Sequence, residues 1–232
     1  MKKVIFAPGE YYHIFCRTIM NFPVFGDAKN ADRFMKSLWI ANSDNSGTVF
    51  QFLRSYKNAS VEDLLDLLKG SEKLVDVLSY TLMKDHYHLL LKERVEGGIS
   101  EFVRKCNISI SKYNNIRNGR RGPIFESRFN AKHVDDNRYL MHLFCYILLN
   151  PLDFLVNRSW REHGLKNWKV AKEKLLNYPY SSVSGFLRGL EKEDRILSGV
   201  DIVLGQIGNL KEREVFLKDW TSDNLNEIIT YI

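Results

Sequence analysis

Four short stretches of this chain have strand character, with helical spacing of apolar residues between them, and their order predicts the fold. Tyr11–Arg17 (YYHIFCR) follows a Pro-Gly turn and reads as the first strand. Asp27–Asn42 places Phe34, Met35, Leu38 and Trp39 at helical spacing, with Asp27 as the cap. Leu74–Met83 and His86–Lys92 are two strands joined tightly through Lys84-Asp85, a hairpin. Ser100–Asn118 is a helix capped by Ser100 and ended by Gly119; Pro123–Val134 alternates as a fourth strand. Asp135 or Asp136 then starts a helix that runs to Asn150 and is stopped by Pro151. The order is that of a split βαβ, so the expected class is α+β: a ferredoxin-like antiparallel sheet with helices on one face, one helix added. Ser43–Lys73, with a Gly-containing turn, the apolar stretch TVFQFLRSY and a helix at Val61–Leu68 capped by Ser60, reads as an insertion. From about Asn157 the pattern is helical and rich in Trp, Leu and Lys, broken at Tyr178–Ser182. The expected division is therefore a core over 1–156 and a helical C-terminal extension over 157–232.

Composition changes this picture little. At 232 residues, 44% hydrophobic and 27% charged, the chain can bury one sizeable core and shows no low-complexity tract. Cys16, Cys106 and Cys145 are odd in number and lack CxxC spacing, which disfavours a disulfide framework and a zinc ribbon. With the first apolar run broken by Pro8, Gly9 and Glu10, and no run read as transmembrane, a cytoplasmic location is expected. Charge is more telling. The net is +6, but Arg104–Lys132 alone carries +7, from eight basic residues against Glu126, so the remainder sums to −1. A solvated helix face would explain such a run, and so would a surface that tracks phosphates.

Two segments carry candidate chemistry. His86 and His88 sit two apart in a strand, so both imidazoles share a sheet face and make half of a metal site, though such a pair is also an ordinary surface or hydrogen-bonded core feature. Tyr146 and Asn150 are one helical turn apart and share a face. A phenol needs a nearby cation to attack a phosphate at neutral pH, whereas a tyrosine in FCYILL and an asparagine before proline are also a core residue and a helix stop. His13 and His133 have no spaced partner, His142 and Cys145 read as packing or surface residues, and Trp160 and Trp168 as anchors for the extension.

Taken together, KDHYHLLLK, GPIFESRFNAKHV, YILLNP and YPYSS, with the opening PGEYYHIFCR, resemble the REP-associated tyrosine transposases, a branch of the single-tyrosine HUH transposases, over roughly residues 8–187. The resemblance implies that His86 and His88 bind Mg²⁺ or Mn²⁺, that Asn150 occupies the third ligand position, and that Tyr146 is the nucleophile joined to a DNA 5′ phosphate. It implies a single-stranded DNA partner with a hairpin and a short flanking tag, handled by a monomer or a homodimer. Lys105, Lys112, Arg117, Arg120 and Arg121 would then hold the strand, Phe125 or Phe129 would stack bases, and Arg128 with Phe129 matches a family RF pair placed near the substrate. Three departures stand out: Tyr87 between the histidines in place of an aliphatic residue, MKDH where MPNH is common, and the insertion at about 43–73. Tyr113, in SKYNN, is the competing nucleophile, ranked lower because it precedes the fourth strand. Two other functions compete: a nucleic-acid-binding module that has lost the chemistry, and a metal-dependent hydrolase in which the histidines activate water.

Overall fold

The computed structural model describes residues 4–45, 47, 61–189 and 195–223. Four strands, β1 (Tyr11–Arg17), β2 (Val75–Leu82), β3 (His86–Glu93) and β4 (Asn130–Val134), form one antiparallel sheet in the order β2-β3-β1-β4. This is the expected ferredoxin-like class. Side-chain alternation divides the sheet into two faces. Tyr12, Ile14, Cys16, Tyr87, Leu89 and Leu91 turn to one, where α1 (Ala28–Ile40) and α3 (Gly98–Arg117) pack beside each other. Phe34 of α1 lies 4.8 Å from the Tyr87 ring, and the Tyr87 hydroxyl donates to Asn107 Oδ1 at 3.0 Å. The unusual residue of the HYH triplet is thus a core residue facing away from the histidines.

The other face carries His13, Phe15, His86 and His88, and α4 (Asn137–Leu149) covers it. The expected placement of all helices on one face is corrected here. Leu140, Leu143, Phe144 and Ile147 give α4 an apolar surface that must be buried, and the first face is already filled by two helices. Together with a π-helical turn at Asp153–Asn157, α4 makes a stretch, Asn137–Asn157, that is long and apolar enough to cross a membrane, contrary to the sequence reading. Most of its apolar window, 61%, is buried inside the protein, as befits a core helix.

Local signals set several boundaries as expected. Asp27 accepts from Asn30 N at 3.1 Å and Asp136 from Tyr139 N at 2.8 Å, each capping its helix. Helix α2 (Val61–Leu68) forms, and its Leu64 packs on Ile40; the TVFQFLRSY stretch and Ser60 lie outside the described residues. Two boundaries shift. Helix α3 begins at Gly98 rather than after a Ser100 cap, because Gly97 takes φ 74° and a Cβ on Gly98 would sit 2.3 Å from Leu74 O. Strand β4 begins at Asn130, not Pro123; upstream only a Thr18–Phe125 bridge forms, and the Phe125 ring packs against Phe25 and Tyr87.

Beyond 156 the chain packs on the exposed edge of β2. Leu82 N donates to Tyr180 O at 2.9 Å, Tyr80 N to Ser182 Oγ at 3.0 Å, and the Tyr178 hydroxyl to Leu82 O at 2.7 Å. The YPYSS segment thereby covers an edge that would otherwise leave backbone groups unpaired. Trp160, Phe186, Val203, Leu217 and Trp220 belong to the same apolar cluster as the sheet.

Candidate active site

The hairpin turn at Lys84-Asp85, closed by Met83 N donating to His86 O at 2.7 Å, starts β3 so that His86 pairs with Arg17 and His88 with Phe15. Both imidazoles project toward α4. Their ring centroids are 5.1 Å apart, and the Tyr146 ring stands 5.6 Å from that of His88 in an edge-on contact. The phenol and the two histidines, which are more than fifty residues apart in sequence, are therefore on the same side of the sheet, with the Tyr146 ring against His88. Tyr146 is 8% exposed and His88 6%.

Each histidine is held through its Nδ1. That of His86 donates to Asp85 Oδ1 at 2.7 Å, and that of His88 lies 2.9 Å from His13 Nε2. The Nε2 of His86 is thereby left with its lone pair outward, and the Nε2 of His88 is left the same way in the tautomer in which its Nδ1–H donates to His13. Burial holds His88 well below its ordinary pKa, with His13, His86, Arg161 and Arg17 adding to the effect, and holds His13 down to about 3, with Lys132 adding to it. Burial also lowers the His86 pKa, with Asp85 pulling it back up, so the imidazoles of the His86–His88 pair favour the neutral form that metal binding requires.

That neutrality has a cost in acid. Below pH 6.5 the unfolded chain takes up protons that the folded chain refuses, so stability falls through His13 as pH drops from about 6.5 toward 3, by up to roughly 1.4 kcal/mol per pH unit, with His88 acting in the same direction. In metal-free protein, denaturant unfolding at stepped pH should show this slope, and His13→Gln should reduce it by about one proton's worth. An unchanged slope would mean that His13 is not a neutral buried group.

Asn150 and Tyr146 share the last turn of α4, as the spacing predicted, but a residue absent from the sequence reading comes between them and solvent. Arg161, in the short helix Trp160–His163 that follows the π-helical turn, lies with its guanidinium carbon 4.9 Å from the Tyr146 ring centroid. Its Nη2 donates to Asn150 Oδ1 at 2.7 Å and its Nε to Asp153 Oδ1 at 2.8 Å, and Trp160 Nε1 donates to the same Asp153 oxygen at 2.9 Å. Burial raises the Tyr146 pKa, while Arg161 and Asn150 pull it down. The Asn150 amide nitrogen is buried with no partner within hydrogen-bond distance. Asn150 Oδ1 thus already accepts from a cation, and a metal placed there would share that oxygen with Arg161. Among the described residues no group of three His, Cys, Asp or Glu side chains is placed to hold a metal, so the two imidazoles are the donors on hand.

The other expected site residues divide by location. Lys105, Lys112 and Arg117 are on α3, across the sheet from Tyr146. Lys105 pairs with Glu101 at 3.2 Å and Arg117 with Asp27 at 3.1 Å, so these cations serve their own layer, and only Lys112 among the three faces solvent without such a bond being part of its local packing here. Arg120, Arg121 and Arg128 lie in the connection between α3 and β4, which runs beside the end of β1, where Glu126 N donates to Arg17 O at 3.0 Å. Phe129 is half-buried against Phe6. Phe125 is corrected: it is 7% exposed and packs edge-on against Tyr87, so its ring belongs to the core and is closed to bases. Tyr113 lies in the α1–α3 layer between Arg33 and Arg117, remote from the histidines.

No family model matches the chain, and no curated protein does. Two solved structures are similar. A REP-associated tyrosine transposase bound to a REP hairpin superposes with a TM-score of 0.49 at 11% identity, over 86% of this chain and 91% of that one. The tRNA(His) guanylyltransferase of Saccharomyces cerevisiae gives 0.33 at 12% identity, over 84% of each chain.

Proposed function

We propose that this chain cleaves single-stranded DNA and transfers the strand through a covalent link to Tyr146. The observation that carries the reading is the contact of the Tyr146 phenol with the His88 imidazole beneath the Arg161 guanidinium, at the site to which the HUH-transposase resemblance points. Tyr146 attacks the scissile phosphorus, a 5′-phosphotyrosine bond forms, and the 3′-oxygen leaves; the phenol proton is released and the 3′-oxygen takes one up. Attack by the same 3′-hydroxyl, or another, reverses the step without an external energy source. Mg²⁺ or Mn²⁺ fits the paired neutral imidazoles of His86 and His88 and, when bound, would polarise the phosphate toward attack. Asp85 and His13 keep the two rings aimed, and Arg161 offsets negative charge growing on the phenol oxygen. A hairpin substrate follows from the sequence resemblance.

The test is a denaturing gel of protein incubated with labelled hairpin DNA carrying single-stranded flanks and Mn²⁺. A retarded, protease-sensitive covalent adduct is expected. Cleavage without an adduct would favour the hydrolase, and binding without cleavage the inactive module. Arg161→Ala should lower single-turnover cleavage by roughly 10²–10³-fold while changing hairpin affinity far less, as removal of a preorganised charge does. Arg161→Lys should restore only part of the rate, because an ammonium cannot bridge Asn150 and Asp153 in one plane. Equal rates for Arg161→Ala and the parent would exclude Arg161 from the reaction.

A further inference from the structure

The connection leaving β1 makes a turn that its residues do not favour. Phe22 N donates to Ile19 O at 3.1 Å, and the two residues between them, Met20 (φ 55°) and Asn21 (φ 53°), are both left-handed. Successive left-handed residues define a type I′ turn, where Asn and Gly are preferred because a Cβ is crowded against the backbone. Asn21 suits its place; Met20 does not. They are the only non-glycine residues with positive φ among the described residues. Met20 is also 90% exposed, so no buried contact compensates the crowding.

The turn is bolted to the hairpin that carries the histidines. Thr18 N donates to Asp85 O at 2.9 Å, Phe25 N to Lys84 O at 3.0 Å and Ile19 N to Ile124 O at 2.9 Å, while the Thr18 hydroxyl donates to Phe22 O at 2.7 Å. Cations flank the tip. Arg17 donates to Asn21 Oδ1 at 3.3 Å, and the Arg120 guanidinium sits 4.7 Å over the Phe22 ring. An exposed apolar tip held in an unfavourable backbone, with Arg17 and Arg120 on its neighbouring residues and the histidine hairpin one residue pair away, has the chemistry of a side chain that wedges against a base while the cations hold phosphates.

We propose that Met20 packs on the base face exposed where duplex meets single strand in bound hairpin DNA, and so sets the position of the strand entering the site. This rests on the DNA-cleaving reading above. The test uses the Tyr146→Phe protein, which removes the nucleophile, and a hairpin with a single-stranded flank carrying 2-aminopurine at the junction. Binding should raise the fluorescence. Met20→Gly should abolish most of that rise and weaken binding by about ten-fold, within the range set by loss of one base contact. Its Tm should stay level or rise by about 2–4 °C, since glycine relieves the turn. Met20→Leu, which keeps the apolar bulk, should retain the signal. Unchanged affinity and fluorescence in Met20→Gly would overturn the wedge, as would weaker binding accompanied by a lower Tm, which would make Met20 a folding residue. If the Met20 parent itself fails to bind the hairpin, the DNA reading falls and the wedge falls with it.

Discussion

Phenylalanine at position 146 is expected to abolish strand cleavage and adduct formation while leaving the fold and hairpin binding in place. The substitution deletes one oxygen and keeps the ring that packs edge-on against His88 and His13 and lies under Arg161. With the ring and its buried contacts kept, only the hydroxyl's own interactions are lost, and stability should move by about 1 kcal/mol. Loss of a covalent nucleophile is a different matter, and the rate should fall by roughly 10⁴-fold or more. Single-turnover cleavage, gel detection of the adduct and a thermal melt read the three quantities separately. Tyr113→Phe is the informative companion: its ring sits between Arg33 and Arg117 in the other layer, so cleavage should persist. If Tyr146→Phe cuts as fast as the parent, the nucleophile lies elsewhere and the strand-transfer reading fails.

Alanine at His88 should combine loss of activity with loss of stability, whereas alanine at His86 should lose activity alone. In the proposed reading each ring would contribute one nitrogen to the metal position, so either change should remove Mn²⁺ binding, measured by calorimetry, together with metal-dependent cleavage. Their surroundings differ. His88 is buried between Phe15, Tyr146 and His13, and its removal leaves a cavity and takes away the partner of His13 Nε2. That combination should cost about 2–4 kcal/mol in denaturant unfolding. His86 is partly exposed at the hairpin and holds Asp85, which still faces solvent, so its replacement should cost about 1 kcal/mol or less. Similar destabilisation by both would mean that the site is a packing cluster, and retained Mn²⁺ affinity in either would remove that ring from the metal position.

Much of the framework was legible along the chain because its signals are local. Asp27 and Asp136 cap their helices through bonds spanning three residues, and Pro151 follows the end of α4. Tyr146 and Asn150 share a turn for the same reason that His86 and His88 share a face. The misplaced strand start at Pro123 shows the limit. Ile124 and Phe125 alternate on paper, yet both are drawn into the core by neighbours from the β1–α1 connection and β3, which no window around Pro123 contains. The basic stretch read as one surface is split in the same way, part across the sheet on α3 and part in the connection beside Arg17.

What the sequence alone determined are the periodic elements and the pairs within them: the two imidazoles on one strand face and the phenol with its amide on one helix face, since each spacing is a property of a single strand or helix. Only the tertiary structure decided that these two pairs meet, that His13 holds His88, and that Arg161 closes over Tyr146. Those contacts depend on strand register and on the turn after Pro151, both set by burial of the whole apolar set at once, so no short stretch of residues encodes them.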